Sequence, residues 1–264
     1  MSAATSQASA NASRFATTLI DLLDRIEYRR VSPDDQFDPV YRLRYEAYRR
    51  EDFVPINSQQ ITRDDYDAAS NCYCFGVYID GELVSSVRFH HVTAGNRTSP
   101  SRTIWPEVLE PVLDGGDSFI DPSRFTVDHE ASLAFPALPY LTLRIVAMAS
   151  IHFAVRYTIS SVRPEHAAFY RRIFGSQRLG NERYWGELRF PVCLYAAEIP
   201  AIRERVFNRF PFFMSTSEER EALFSGPAGS QGVVAPTARI AHRLRLIEKA
   251  RGLAHSQDMC GTSV

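Results

Sequence analysis

One stretch decides the fold of this chain: FIDPSRFTV, residues Phe119–Val127. Its apolar residues predict a strand, but Pro122 in the middle has no N–H to donate to a neighbouring strand and therefore marks a bulge. An almost wholly apolar helix follows at about Leu138–Val155, and Tyr157–Val162 reads as a strand parallel to the first. The sequence predicts that these two strands diverge, because a proline cannot complete a central ladder.

Further strands and helices are predicted upstream of this pair. Apolar residues recur at helical spacing from Phe15 to Ile26 and predict a first helix. A short strand follows near Glu27–Val31, and a second helix ends at about Arg50. Cys72–Ile79 and Leu83–His90 form a hairpin, because the Asp80-Gly81 dipeptide between them adopts the positive φ angles of a tight turn.

The downstream part predicts one more helix and two strands. Pro164 opens the helix and Gly175 ends it, following the usual asymmetry of proline at the first turn and glycine past the last. Ser176–Tyr184 and Leu188–Ala196 are the strands. These elements predict a mixed α/β (α+β) domain.

Composition indicates one globular domain that acts on small molecules. The chain has 264 residues and a formal net charge of −1, which argues against nucleic acid as a partner. No run approaches the roughly 20 apolar residues of a membrane span, and the start of the chain does not read as a signal peptide, so we expect a cytoplasmic protein. Lys249 is the only lysine, which excludes a Schiff-base lysine from the core.

The chain divides into three parts. Residues 1–14 are predicted to be a disordered N-terminus, 15–213 the folded domain, and 214–264 a C-terminal tail. Within the tail, a Gly/Pro/Ser-rich linker at Ser225–Pro236 precedes a basic amphipathic helix at Thr237–Arg251. This helix is the one segment that fits contact with an anionic membrane or a partner.

No metal site is predicted. Cys72 and Cys74 share one face of a strand without further ligands nearby, which favours buried reduced thiols. His90, His91 and His152 likewise lack carboxylates at ligand spacing.

Three further segments carry motifs: YRLRYEAY at Tyr41–Tyr48 with DDYD at Asp64–Asp67, RPEHAAFYRRIFG at Arg163–Gly175, and RYWGELRFP at Arg183–Pro191. Together with FIDPSRFTV and the order of elements, they resemble the GNAT acyltransferases. Within these, the chain is similar to acyl-homoserine-lactone synthases and, more closely, to the long-chain N-acyl amino acid synthases of the FeeM type, over about Tyr28–Glu198. The resemblance implies the GNAT fold: a central mixed, twisted sheet with splayed central strands and flanking helices.

The resemblance also implies a catalytic site. Asp121 stands where the family usually has glutamate and would help to deprotonate the incoming amine. Tyr170 would hydrogen-bond the thioester sulfur and protonate the leaving thiolate, as a tyrosine of ordinary pKa can. Ser123 is the third catalytic candidate, since amides from Ser123 to Val127 would hold the oxyanion.

Two groups of binding residues follow from the same resemblance. The pantetheine arm of the thioester would lie along Phe125, Thr126 and Val127. The amine acceptor would bind beside Tyr48 and five charged residues: Arg44, Asp64, Asp67, Arg88 and Arg124. For Arg44 with Asp64 or Asp67, a salt bridge that pins the loop is an equal alternative.

The implied activity is transfer of a long-chain fatty acyl group from a thioester to the amino group of an amino acid, without metal or redox cofactor. The donor is acyl-acyl carrier protein or acyl-coenzyme A. A carrier protein is favoured, because the glycine-rich phosphate loop is missing between Val127 and Leu141. Four arginines fit an acidic carrier: Arg144, Arg156, Arg171 and Arg172.

Two other functions remain open. The first is an acyl-homoserine-lactone synthase that uses S-adenosylmethionine. The second is a non-catalytic module that binds acyl groups or docks a carrier protein, since a fold alone does not prove activity.

Overall fold

The computed structural model describes residues 14–184, 190–226 and 234–260, with side chains to residue 251. Almost all of the predicted disordered N-terminus lies outside these residues, as do most of the predicted linker and the first residues of the predicted last strand.

A seven-stranded mixed sheet forms the centre of the domain, in the order β1-β2-β3-β4-β5-β7-β6. Its strands are β1 (Ile26–Arg30), β2 (Cys72–Ile79), β3 (Glu82–Val92), β4 (Phe119–Val127), β5 (Tyr157–Val162), β6 (Gln177–Tyr184) and β7 (Pro191–Glu198). Only β4 and β5 pair in parallel; the other neighbours are antiparallel. The mixed α/β class is therefore confirmed.

The β2–β3 hairpin forms as predicted. Asp80 and Gly81 both have positive φ angles, 51° and 87°, which is the backbone of a tight two-residue turn. Most residues of β3 and the first three residues of β4 are buried, so these strands form the central part of the sheet.

β4 and β5 separate, as the sequence predicts. They pair only at Phe119 with Tyr157 and at Ile120 with Thr158, and beyond that point each strand leaves the other. The position of the bulge was predicted wrongly: Pro122 stays opposite Phe89 in the ladder with β3.

The bulge instead lies at Arg124 and Phe125. Ser123 is opposite Arg88 and Thr126 is opposite Ser86, so two residues of β4 face the single Val87 of β3. Arg124 has a φ of 52°, a left-handed conformation that an arginine rarely adopts.

Helices cover both faces of the sheet. The predicted ones are present as α1 at residues 14–23, α2 (Pro39–Arg50), α6 (Leu138–His152) and α7 (Ala167–Phe174). Others were not predicted: α3 (Pro100–Ile104), α4 (Pro106–Asp114), α5 (His129–Ala134) and α8 (Ile199–Arg209). Ten residues of α6 are buried, so this helix fills the main core against the sheet.

The chain stays part of the core beyond Phe213, where the sequence predicts a tail. Helix α9 (Ser217–Phe224) buries Leu223 and Phe224 in the main core. Arg144 of α6 forms a buried ion pair with Glu219 and donates to the carbonyl oxygen of Phe212 at 2.8 Å. Arg144 therefore cannot meet a carrier protein, contrary to the prediction.

The last helix, α10 (Ala238–Cys260), begins one residue after the predicted start. In the described part of the chain, no helix has the length and apolar character required to cross a membrane.

Candidate active site

A cleft of about 460 Å³ opens where β4 and β5 separate. β4 lines it through five residues: Pro122, Ser123, Arg124, Phe125 and Val127. β5 and the turn after it contribute Ser160, Ser161, Val162 and Arg163, and α7 contributes Phe169 and Tyr170. The volume lies in the usual range for a small-molecule site.

Asp121 lies beside this cleft and is fully buried. It accepts hydrogen bonds from Ser99 Oγ at 2.6 Å and from the Ser101 amide at 2.9 Å on one carboxylate oxygen, and from Ser101 Oγ at 2.5 Å on the other. All three donors are uncharged. Within the described residues, no arginine, lysine or histidine forms an ion pair with Asp121.

Ser99 and Ser101 meet Asp121 because a helix starts there. Ser99 caps α3 by accepting from the Arg102 amide at 3.1 Å, and Pro100 occupies the first turn. Ser101 also bonds Ser161 of β5, with 2.6 Å between the two hydroxyl oxygens. Ser101 and Ser161 both line the cleft, whereas Asp121 does not.

A second group of charges, the charge network, consists of the buried Arg44, Asp67 and Arg88 and the partly buried Asp64 and Arg124. Asp67 pairs with Arg44 at 2.8 Å and with Arg88 at 2.9 Å, and all three side chains are fully buried. Asp64 pairs with Arg88 and, at 2.6 Å, with Arg124.

The arginines of the charge network control the protonation of its carboxylates. Burial alone would raise the pKa of Asp64, but Arg88 and Arg124 hold it well below its usual range. Arg44 and Arg88 likewise lower the pKa of Asp67 against the effect of burial. Both carboxylates are therefore ionised and neutralised at neutral pH.

The charge network reaches the cleft through Arg124. The bulge turns this residue so that its guanidinium meets Asp64 and lies over the ring of Tyr48, 5.5 Å from the ring centre. Tyr48 and Arg124 line the cleft, and their role in binding the acceptor stays a prediction. Arg44, Asp64, Asp67 and Arg88 do not line it, so the alternative of a salt bridge that pins the loop fits Arg44 and Asp67 better.

The residues predicted to hold the pantetheine arm separate into two sets. Phe125 and Val127 line the cleft, as does Ser123, whose hydroxyl accepts from Arg88 Nε at 3.1 Å. Thr126 is buried and turned away, and its hydroxyl donates to the Arg124 carbonyl oxygen at 3.1 Å. Thr126 is therefore placed to support the bulge and not to touch a ligand.

Tyr170 lies between the cleft and a smaller pocket, the deep pocket, of about 50 Å³. The deep pocket is enclosed mainly by apolar side chains of α6, α7 and α8, among them Val146, Phe174 and Phe207. Partial burial among apolar side chains raises the pKa of Tyr170 to about 12. Its phenol is hence a hydrogen-bond donor at neutral pH and a weaker acid than an ordinary tyrosine.

Three residues were missed by sequence reasoning: Ser99, Ser101 and Ser161. The Ser99-Pro100 pair is a helix-start signal that predicts α3 when taken by itself. No local signal indicates that Ser101 would contact both Asp121 and Ser161, which are 20 and 60 residues away in the sequence.

Metal ligands do not cluster in the part of the chain that the structure describes: no group of three or more His, Cys, Asp or Glu side chains is arranged to hold an ion. Cys72, Cys74 and Cys193 are buried free thiols. Burial raises the pKa of Cys72 and Cys74, which keeps these two protonated.

Comparison with protein-family models identifies a family for this chain. A family model described as N-acyl amino acid synthase FeeM matches residues 39–198. This range contains β2 to β7 and every side chain of the cleft. A search of curated protein sequences returns no match.

Solved structures share the fold. FeeM, an N-acyl amino acid synthase from uncultured soil microbes, superposes with a TM-score of 0.57 at 18% identity and covers 70% of this chain and 97% of its own. The acyl-homoserine-lactone synthase LasI superposes with a TM-score of 0.48 at 18% identity, and the match covers 78% of this chain and 98% of LasI. An acyl-CoA N-acyltransferase from Pseudomonas aeruginosa superposes with a TM-score of 0.44 at 15% identity, and the match covers 65% of this chain and 99% of that protein. The FeeM superposition confirms the predicted GNAT fold.

Proposed function

Because the chain belongs to the FeeM family of N-acyl amino acid synthases and is an N-acyltransferase, we propose that it moves a fatty acyl group from a carrier-protein thioester to the amino group of an amino acid. The observation that carries the proposal is the cleft between β4 and β5, which has a buried carboxylate on one side and Tyr170 at its apolar end.

The thioester lies in the gap between the separated strands. The bulge removes Arg124 and Phe125 from regular pairing with β3, and on its other side β4 has left β5. Amides of the Ser123–Val127 segment then hold the oxyanion that forms when the amine attacks the carbonyl carbon. The acyl chain points past Tyr170 toward the deep pocket, whose apolar lining excludes water.

The amino acid enters on the side of Tyr48, Arg124 and Arg163. Two arginines line the cleft there, and their planar guanidinium groups suit a carboxylate. Arg163 lies over the rings of Phe53 and Phe190, 5.3 and 5.6 Å from their centres, so its position is fixed by stacking.

Proton transfer begins at the amine. The ammonium group of the amino acid loses one proton toward Asp121, and the free amine attacks the thioester. The C–S bond of the tetrahedral intermediate then breaks, and the second amine proton goes to the departing sulfur. The products are an N-acyl amino acid and the free carrier thiol.

Tyr170 assists this departure by donating a hydrogen bond to sulfur and keeping its own proton. A thiol has an ordinary pKa of about 8.5, so a phenol with a pKa of about 12 does not give up its proton to the thiolate to any large extent. The predicted role as an acid is thus replaced by stabilisation of the leaving thiolate.

A carrier protein is the proposed donor. The connection between β4 and α6 is a short helix, α5, whose first turn is capped by Asp128, and it contains no glycine-rich loop. A nest of amides for a coenzyme A pyrophosphate is therefore not provided there. Arg171 and Arg172 are exposed on α7, next to the cleft, and suit an acidic carrier; Arg156 instead pairs with Asp117 and Glu198.

The test is a reconstituted reaction followed by mass spectrometry. Purified protein receives acyl-carrier protein or acyl-coenzyme A, a mixture of amino acids, and S-adenosylmethionine in half of the samples. We expect N-acyl amino acids whether or not S-adenosylmethionine is present, and a higher kcat/KM with the carrier protein that falls as salt rises. Lactone formed only with S-adenosylmethionine, or acyl binding without turnover, would replace the proposal.

A further inference from the structure

We propose that Ser161 and Ser101 form a proton relay that connects the amine in the cleft to Asp121. The inference rests on the proposed acyl transfer to an amine, and it adds two residues to that reaction. The inference is needed because the Asp121 carboxylate is fully buried and does not line the cleft, so it cannot contact the amine directly. Ser101 and Ser161 do line the cleft.

The hydrogen bonds that connect Ser161, Ser101 and Asp121 all have the same direction. A serine hydroxyl has a single hydrogen, and that of Ser101 points to Asp121 Oδ1 at 2.5 Å. The bond between Ser101 and Ser161, 2.6 Å long, must then be donated by Ser161. Each hydroxyl therefore donates inward, and the oxygen of Ser161 is left as the acceptor next to the cleft.

This direction is the one that a proton leaving the substrate requires. An ammonium N–H donates to Ser161 Oγ and the proton moves there as the hydroxyl proton of Ser161 passes to Ser101 Oγ. The hydroxyl proton of Ser101 passes in turn to Asp121 Oδ1. One N–H bond breaks, one carboxyl O–H bond forms, and both serines end as neutral hydroxyls with their hydrogen bonds reversed.

The other contacts of Asp121 hold it in place for this step. Ser99 Oγ and the Ser101 amide both donate to Oδ2, which leaves Oδ1 to the serine relay alone. His90 lies opposite Asp121 on β3, and burial lowers the pKa of its imidazole, so it stays neutral. No cation therefore neutralises the carboxylate from that side.

Other ionisable groups surround the relay and the cleft: His90 and Arg88 of β3, Arg124 of β4, Arg163 and His166 after β5, and Tyr170 of α7. They are the same in the protein and in a variant that lacks one serine hydroxyl. The ratio of the two rates at each pH consequently isolates the contribution of that hydroxyl.

The test uses the full chain with acyl-carrier protein and the amino acid that the wild type accepts. Ser161→Ala removes the outer hydroxyl and leaves the bond between Ser101 and Asp121 intact. We expect its kcat/KM to fall about tenfold or more near neutral pH, and the loss to shrink at alkaline pH, where the amine is already free. Ser161→Thr keeps a hydroxyl and should retain most of the rate.

Ser86→Ala is the matched control, because Ser86 is a buried serine whose hydroxyl has no hydrogen-bond partner in the described part of the chain. Its rate should equal that of the wild type at every pH. Thermal unfolding of all variants checks that they are folded.

Two results would overturn the relay while acyl transfer by the wild type stands: a rate for Ser161→Ala equal to the wild type near neutral pH, or a loss of the same size at every pH. A loss in Ser161→Thr as large as in Ser161→Ala, with both proteins folded, would also count against it. Absence of acylated amino acid with the wild type would instead remove the proposed function itself.

Discussion

The charge network and the serine relay both contain buried carboxylates, but their surroundings differ. Asp67 is neutralised by two arginines that are as buried as it is, and Asp64 by Arg88 and Arg124. Asp121 is held by two hydroxyls and one amide. An arginine beside Asp64 or Asp67 favours the charged form of that carboxylate, whereas Asp121 has no ionic partner within the described residues. This difference supports a structural role for the charge network and is the basis for proposing Asp121 as the proton acceptor.

The largest effect, a loss of stability, is expected when an ion pair of the charge network is removed. Asp67→Asn removes the carboxylate that neutralises Arg44 and leaves a fully buried guanidinium without an ionic partner. Loss of one partner of a buried ion pair lowers the free energy of unfolding by about 3–5 kcal/mol. Denaturant unfolding measures it, with Asp34→Asn as an exposed control; a loss no larger than in that control would show that the network does not stabilise the fold.

A smaller effect on the free energy of unfolding should appear when the pH is lowered. The folded-state pKa values of Asp64 and Asp67 lie below the unfolded value of about 3.9, so their contribution is present above that pH and is lost as the pH falls toward the folded values. The difference in unfolding free energy between wild type and Asp67→Asn should hence stay constant from about pH 7 to pH 5 and narrow as the pH falls from about 5 to about 3. A constant difference over this lower range would contradict the lowered pKa of Asp67.

The smallest effect concerns Tyr170, the uncharged donor at the other side of the cleft. Tyr170→Phe should lower kcat/KM by about tenfold for an ordinary thioester and less for one with an activated leaving group. Because the pKa of Tyr170 is about 12, the shape of the pH–rate profile should not change below about pH 10. Tyr195→Phe, a buried tyrosine outside the cleft, is the control. A loss that does not depend on the leaving group would indicate a packing role.

Much of the fold could be predicted because its signals are local. The bounds of β4 and β5 and the Asp80-Gly81 turn follow from short patterns of apolar residues and turn residues. The position of the bulge could not be predicted this way. It depends on the left-handed backbone of Arg124, whose guanidinium pairs with Asp64, 60 residues away in the sequence.

The same limit applies to the candidate site. Asp121 and Tyr170 were found through their place in recognisable motifs; Tyr170 lines the cleft and the deep pocket, whereas Asp121 is buried behind the cleft. The serines that connect Asp121 to the cleft belong to no motif, because their contacts arise from the packing of α3 against β4 and β5. Conversely, four of the charged residues predicted to bind the acceptor do not line the cleft: Arg44, Asp64, Asp67 and Arg88.

The pH dependence of acyl transfer by Asp121→Asn tests the central claim, that Asp121 receives the proton of the amine. The substitution keeps the shape of the side chain and removes the base. We predict that kcat/KM falls by about 10²-fold near pH 7 and partly recovers at alkaline pH, where the amine no longer needs a base. An unchanged rate at neutral pH, or a loss of equal size at every pH in a folded protein, would contradict the claim.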